Sequence, residues 1–321
     1  MNRYLKSFGL WMLFGSVAVF AAEIVAARGT VSVRKSGAAP TAIKVKDRVS
    51  GGDLIITGED GFARVKFRDE SVITVQGSSR YLISEDSDPS DKGGSKSMLV
   101  SGSVSADLSK IKKIYKDKDE SYKLYTPTAV CGVRGTKFDI YSDKNGKSQT
   151  VVGEGEIAVS GDTLSDDARV SGGQSVKSGD GFKSDKGGAV SKDKGKIPSQ
   201  KEVSKALGDK PKPDAEYEKY YIGLVQDLAS RIVKMKTEYD SKEVDAGKIL
   251  EEARKLPDND TKKNSLFDKA RVMGLERFIV GKNILHRVNQ FRGYMTLLEN
   301  STANVPEAQK VEEIFQAITK K

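Results

Sequence analysis

The residues that usually carry catalysis are scarce in this 321-residue chain: His286 is the sole histidine and Cys131 the sole cysteine. A Ser-His-Asp or Cys-His relay needs an imidazole beside its nucleophile. No histidine lies near Cys131 in sequence, which excludes most such mechanisms. His286 stands two residues from Ile284 and two from Val288, off the apolar stripe they form, and is expected to face solvent. A lone cysteine makes no intrachain disulfide and no multi-thiolate zinc site. Between Val130 and Gly132, Cys131 reads as a small buried hydrophobe. Paired carboxylates can do acid–base work without histidine. Asp53, Glu59, Asp60, Glu154 and Glu156 are the candidates for a glycan-acting hydrolase, but all sit at turns, where carboxylates are common.

Two further groups invite a ligand. Glu85, Asp86, Asp88 and Asp91 resemble a calcium loop in composition, yet counting from Asp86 the sixth and twelfth positions hold Asp91 and Ser97. A calcium loop wants Gly and a carboxylate there. A solvated loop is expected, and with it no metal and no cofactor. Arg134, between Gly132 and Gly135, offers five donors in a fixed fork. It is expected to pin a bend by gathering carbonyls or a carboxylate. The flanking glycines lack the spacing and the Lys-Ser/Thr of a phosphate loop.

The elements that must hold these residues follow from periodicity. Over 122–159 apolar residues alternate in Tyr122–Tyr125 and again from Lys137 to Ile140, the period of half-buried strands. Thr126, Pro127 and the Gly132–Thr136 stretch supply breaks, and Asn145 with Gly146 predicts a type I′ hairpin. Upstream, the run 23–34, Leu54–Thr57, Phe62–Phe67, Val72–Val75 and residues 81–83, 98–100 and 104–108 continue the series. Residues 84–97 and 111–120 read as charged excursions. Strands at this spacing imply a sandwich, a barrel or a short solenoid-like stack.

In 176–213 Lys and Gly accumulate and apolar periodicity disappears, which reads as a basic, flexible linker. Beyond it the period changes to that of helices. Tyr217, Tyr221, Leu224, Leu228, Ile232, Met235 and Tyr239 form one stripe, with Asp214 as N-cap. Pro257 breaks the chain. A second helix is predicted over 261–300 with Ile284, Val288, Phe291, Met295 and Leu298 on one face. After Pro306 a short helix carries Val311, Ile314, Phe315 and Ile318. The long helices should pack as an antiparallel hairpin, with a homodimer through the tail as the alternative.

The first 21 residues read as a signal peptide. Arg3 and Lys6 precede an apolar run too short to span a bilayer, and Val19, Phe20 and Ala21 suit cleavage after Ala21. No Cys stands there for lipid attachment. The expected layout is therefore 1–21 signal peptide, 22–175 β domain, 176–213 linker and 214–321 helical domain. The expected location is periplasmic or outer-envelope. With 54 Lys and Arg against 45 Asp and Glu the net charge is +9, which favours anionic partners. Export argues against nucleic acid and for an envelope protein or an anionic envelope surface, with peripheral membrane association as one form of it.

The run TPTAVCGVRGTKFDIY resembles the signature of the FecR domain, an extracytoplasmic all-β module of bacterial envelope proteins. Residues 52–78 agree with the same family in order and spacing. The family-motif positions are Gly52, Asp53, Thr57, Gly58, Thr126, Pro127, Gly132, Val133, Arg134, Gly135, Thr136 and Phe138, and their expected role is structural. Glu70 stands where the family's Asp-Gly-Ser turn has Gly; a left-handed backbone there would cost about 1 kcal/mol. The resemblance spans roughly residues 23–176. It implies an exported, non-enzymatic protein that binds an envelope partner, with a periplasmic signalling or sensing component as the alternative. The well-known members control a sigma factor through a cytoplasmic segment, and too few residues precede the apolar run for such a segment. A looser likeness is to spirochaetal envelope proteins with this domain.

Overall fold

Two kinds of strand alternate along the first 193 residues, and they differ in how many faces are covered. The structure, a computed structural model, describes residues 21–35, 38–85, 95–110, 122–164, 173–208, 210–301 and 304–319. The expected signal peptide 1–21 (except Ala21), the acidic cluster from Asp86 to Asp91 and the 111–120 excursion lie outside the described residues.

In chain order the strands are β1 (Ala22–Arg28), β2 (Val31–Arg34), β3 (Thr41–Ala42), β4 (Arg48–Val49), β5 (Leu54–Thr57) and β6 (Phe62–Phe67). Next come β7 (Val72–Val75), β8 (Arg80–Glu85), β9 (Ser95–Asp107), β10 (Tyr122–Tyr125), β11 (Val130–Val133) and β12 (Lys137–Ser142). The series ends with β13 (Ser148–Glu154), β14 (Glu156–Ser160), β15 (Gln174–Lys177), β16 (Gly181–Asp185) and β17 (Ala189–Asp193).

They form a sandwich of two sheets that share one strand. The first sheet runs β4, β1, β6, β7, β9, β12, β13, β16, β17, with every neighbour antiparallel. The second runs β3, β2, β5, β8, β9, β10, β11, β14, β15, antiparallel except for the parallel pair β9 and β10. β9 pairs within the second sheet up to Ser101 and within the first from Gly102 onward. Such corner strands need a bend. Gly102 supplies it with φ of 101°, close enough to Ser79 that a Cβ would lie 2.2 Å from the Ser79 Oγ.

Sequence pattern follows cover. In β6, β7 and β12 buried and more exposed residues alternate, because one face of the first sheet meets water. In β5, the start of β9, β11 and β14 consecutive residues are buried, because the second sheet is covered on both faces. Its inner side chains, including Ile55, Leu99, Leu124 and Cys131, join Val65, Phe67, Ile73 and Ile140 of the first sheet in the sandwich core. Cys131 is thus the buried hydrophobe its neighbours implied. The outer side chains Leu54, Leu82, Met98, Val100, Tyr125, Val130 and Ala158 pack under helices.

The helices are α1 (Gln200–Leu207), α2 (Ala215–Lys255), α3 (Thr261–Leu297) and α4 (Glu307–Thr319). Ser199 and Glu202 cap α1 reciprocally, and the Asp260 carboxylate accepts the Lys262 N–H at 2.8 Å to start α3. The pairs Lys242 with Glu276 and Glu252 with Lys262 show α2 and α3 running antiparallel, as a hairpin. Tyr217, Tyr221, Leu228, Ile232 and Tyr239 of the α2 stripe are buried, as are Ile284, Val288 and Phe291 of the α3 stripe. An all-β part is followed by a helical part, and the two share an apolar layer.

Three expectations need correction. The stretch 176–213 is no bare linker: it holds the end of β15, then β16, β17 and α1. Strands with one open face need only every second residue inside: Phe182 and Ser184 of β16 are buried, as is Val176 of β15, and Gly181 lets the backbone meet Thr150 closely. His286 is only 1% exposed. α3 has a second covered face, turned to the sheet, and His286 lies on it with its ring centroid 5.2 Å from that of Tyr125. The hairpin between β12 and β13 is not type I′, because Gly146 has positive φ and Asn145 does not. Gly146 N–H bonds the Asp143 carbonyl at 3.0 Å and Asp143 N–H the Lys147 carbonyl at 2.9 Å, a type I turn closed by a glycine bulge. Glu70 does take the left-handed conformation, with φ of 65°.

Candidate functional site

The motif residues build corners rather than a pocket. β5 crosses to β6 through Thr57 and Gly58. The Thr57 hydroxyl donates to the Gln76 carbonyl at 2.6 Å and accepts the Ser79 N–H at 2.9 Å. It thereby ties this corner to the returning one between β7 and β8. Gly58 donates its N–H to the Thr30 carbonyl at 2.8 Å, and its own carbonyl accepts the N–H of Gly61 and of Ser78.

The second half repeats the device. β11 crosses to β12 through Gly132, Val133, Arg134, Gly135 and Thr136, and the Thr136 hydroxyl donates to the Glu156 carbonyl at 2.8 Å, in the returning corner between β13 and β14. Gly135 turns with φ of 63°. Gly155, across from it, is so near that a Cβ would come within 2.9 Å of the Thr136 Oγ1. Arg134 is half-buried in this corner, while Thr136 makes the bond that closes it. Phe138 fills the sandwich core.

The remaining motif positions meet the helices. Gly52, with φ of 94°, lies where a Cβ would approach Asn289 and Arg292 of α3. Asp53 is buried beside it; burial raises its carboxyl above the usual range, while its bond from the Ser50 N–H at 2.9 Å works the other way. Thr126 accepts the Ala129 N–H at 3.0 Å and bonds the Ser148 hydroxyl at 2.9 Å. Thr128 donates to the Gly146 carbonyl at 2.7 Å and bonds Ser184 at 2.8 Å. Pro127 packs on Gly146.

That buried hydroxyl network supports the hairpin on which α2 begins. Tyr221 donates to the Asn145 carbonyl at 2.8 Å and Tyr217 to Asp185 at 2.6 Å. Asp214 stands at the N-cap position, but its carboxylate reaches Lys144 at 2.6 Å and Asn145 at 2.7 Å instead of capping. Burial opposes the charge on Asp185, yet the bonds from Tyr217, the Lys186 N–H and Lys147 hold its carboxyl below the usual range. Tyr217→Phe should therefore lower stability by about 1 kcal/mol in a urea titration without changing the sandwich.

At the opposite face of α3, burial pushes the His286 imidazole well below its ordinary 6.5, and the positive Lys96, Arg287 and Lys123 add to it. The folded state thus resists a proton that the unfolded chain accepts. Its contribution to stability is whole above about pH 6.5 and falls as pH drops below that, by up to about 1.4 kcal/mol per unit. His286→Gln should flatten this part of the profile between pH 5 and 7 in urea titrations.

Two concavities remain open. One, of about 500 Å³, lies between the edge strands β15 and β17 of the two sheets. Gly161, Gly188, Gln174 and Val190 line it, and Tyr220 and Leu224 of α2 form its helical side. The other is a shallow groove of about 460 Å³ on the open sheet, beside Arg64, Asp107, Lys137 and Asp139. Among the hydrolase candidates, Asp60 accepts the Thr30 N–H at 3.2 Å, Glu154 pairs with Lys137 at 2.9 Å, and Glu156 accepts from Ser175. Among the described residues no group of three His, Cys, Asp or Glu is placed to hold a metal.

Residues 53–158, from the buried Asp53 to the middle of β14, match the family described as FecR protein. This stretch is a FecR domain. It includes both Thr corners, and the flanking strands β1 to β4 and β15 to β17 complete the sheets around the FecR stretch. No curated protein matches the chain. A solved cell surface anchoring domain aligns with 19% of this chain and 82% of its own length, at 22% identity and a TM-score of 0.19.

Sequence reading missed the cavity beside the FecR strands, the hydroxyl network and the polar sheet-facing side of α3. A signal for that last feature was present. Leu54, Ile55 and Ile56, and again Met98, Leu99 and Val100, are continuous apolar runs, the mark of a sheet buried on both faces.

Proposed function

We propose that this chain is a non-enzymatic component of a bacterial envelope sensing or signalling system, working by contact with a protein partner. The observation that carries this reading is the FecR match over residues 53–158, whose motif residues Thr57 and Thr136 serve as braces. The partner site it favours is the cavity between β15 and β17. There two strand edges and Tyr220 are presented together, and an exposed edge accepts an extended segment through main-chain bonds. The chain is exported and works at the periplasmic or outer-envelope side. No helix among the described residues is long and apolar enough to cross a membrane.

Transcript profiles of cells with and without the chain, under envelope stress, test the reading. A discrete gene set that loses its response, and regains it with the intact chain, is the expected result. Unchanged transcripts together with glycan cleavage by the purified protein would overturn it.

A further inference from the structure

Among the described residues seven large apolar side chains are exposed, and five of them stand on the outer half of the helical hairpin. Four fall within eight residues of α3: Val272, Leu275, Phe278 and Ile279, each more than half exposed. This half extends past the sandwich. Between residues 240 and 280 only Ala253 and Ala270 are buried, although the helices run about 60 and 55 Å at 1.5 Å per residue.

The face involved is specific. Leu275 and Ile279 continue, at spacings of three and four, through Lys282 to His286, Asn289 or Gln290, and Gly293. Those last residues are the ones turned to the second sheet: Asn289 donates to the Ser84 carbonyl at 2.6 Å, Gln290 to the Thr163 carbonyl at 3.0 Å, and Gly293 abuts Met98. The exposed stripe is thus the sheet-facing side of α3 after the sheet has ended. The inter-helix pairs Lys242 with Glu276 and Glu243 with Arg277 lie toward α2, away from it.

Cations border the overhang on both walls. On α3, Arg271 and Lys282 share the stripe's face, and Lys282 lies 5.6 Å from the Phe278 ring centroid. On the sheet's rim, the half-buried Lys123 of β10 stands in register with Lys96 of β9, which is buried. They act together on His286, one turn beyond Lys282. Asp268 is the acidic residue on that face.

We propose that this overhang docks an acidic amphipathic segment of a partner protein. Its apolar side would cover Val272, Leu275, Phe278 and Ile279, and its carboxylates would meet Arg271, Lys282 and Lys123. The stripe continues the face that α3 turns to the second sheet, so a segment seated on it would run toward the sheet's rim. A second copy of the chain would bring like charges together on both flanks. This surface is separate from the cavity between β15 and β17, and the inference holds whether or not that cavity is used.

The test uses the full chain and a designed, fluorescent amphipathic helical peptide with Leu and Phe on one side and Glu on the flanks. A Lys-flanked version of the same peptide is the control. Anisotropy should show the acidic peptide binding at least about tenfold more tightly than the Lys version, and more weakly as salt rises. Leu275→Glu with Ile279→Glu should cost at least about tenfold in affinity. Both positions are more than half exposed, and circular dichroism checks that the helices persist. Arg271→Glu should weaken the acidic peptide selectively. Equal binding of both peptides, or binding unaffected by these variants, overturns the proposal, as does no binding. Stripe-dependent binding to vesicles with anionic lipid but not to the peptide overturns it in favour of a membrane. A stripe-dependent dimer in sedimentation overturns it in favour of a second copy.

Discussion

Gly102→Val is expected to cost the chain at least about 3 kcal/mol in urea titration, and to leave little folded protein at 37 °C. Two penalties coincide. A φ of 101° is one that side chains with Cβ rarely adopt, and the new Cβ would fall 2.2 Å from the Ser79 Oγ and 2.5 Å from its Cα. The backbone cannot yield, because β9 is central to both sheets. The Ser79 hydroxyl also donates to the Ser103 carbonyl at 3.2 Å and accepts the Ser103 N–H at 2.9 Å. Gly179→Val is the control. Its φ of 87° is strained, but nothing lies within 4 Å, so it should cost only about 1 kcal/mol. Similar losses at both sites would mean that backbone conformation alone, and not the crossing of β9 between sheets, sets the requirement for glycine.

The second large effect concerns the helical layer. A chain ending at residue 208 should show no cooperative unfolding transition and should bind a hydrophobic dye. Without α2 to α4, the outer face of the second sheet exposes Leu54, Leu82, Met98, Val100, Tyr125 and Val130. At about 1.5–3 kcal/mol for each large side chain, the loss is of the order of 10 kcal/mol, the whole stability of an ordinary domain. Replacing residues 244–278 by a short turn should instead leave the sandwich folded, because that half of the hairpin covers no strand. A truncated chain with a sharp transition and no dye binding would show that the helices are an appendage to a self-sufficient β domain.

Much of this architecture was legible in the residues. Alternation in Phe62–Phe67 and Lys137–Ser142 gave half-buried strands, and the 4-3 spacing from Tyr217 to Tyr239 gave a long helix. The choice among sandwich, barrel and stack was not legible, because it depends on where one strand changes sheets, and that rests on Gly102. β16 and the edge strand β17 were missed because strands at the margin of a sheet with one open face need so few apolar residues. Composition over 176–213 therefore looks the same for a strand pair and for a linker. His286 was misplaced because a helical wheel assigns one covered face. α3 has two: Ile284, Val288 and Phe291 meet the other helices, while His286, Asn289, Gln290 and Gly293 meet the sheet. The second face is polar because its amides bond the Ser84 and Thr163 carbonyls, so the pattern of the helix itself does not announce it.

The motif residues show the same division. Thr57 and Thr136 were recognisable as belonging together only as members of a signature. The structure gives the physical reason: each hydroxyl bolts an outgoing corner to a returning one, in the first and second halves of the sandwich. Asp53 and Gly52 brace the sheet under α3. Residues used in this way are unavailable for substrate, which turns attention to strand edges.

Photo-crosslinking in cells that express the chain natively tests whether it acts through protein contact at the paired edges. A benzoylphenylalanine in place of Tyr220, on the helical side of the cavity, should trap a discrete protein adduct. The same group at Val45, exposed elsewhere at 49%, should not. Adducts from Tyr220 only with glycan or lipid, or the same adducts from both positions, would contradict it.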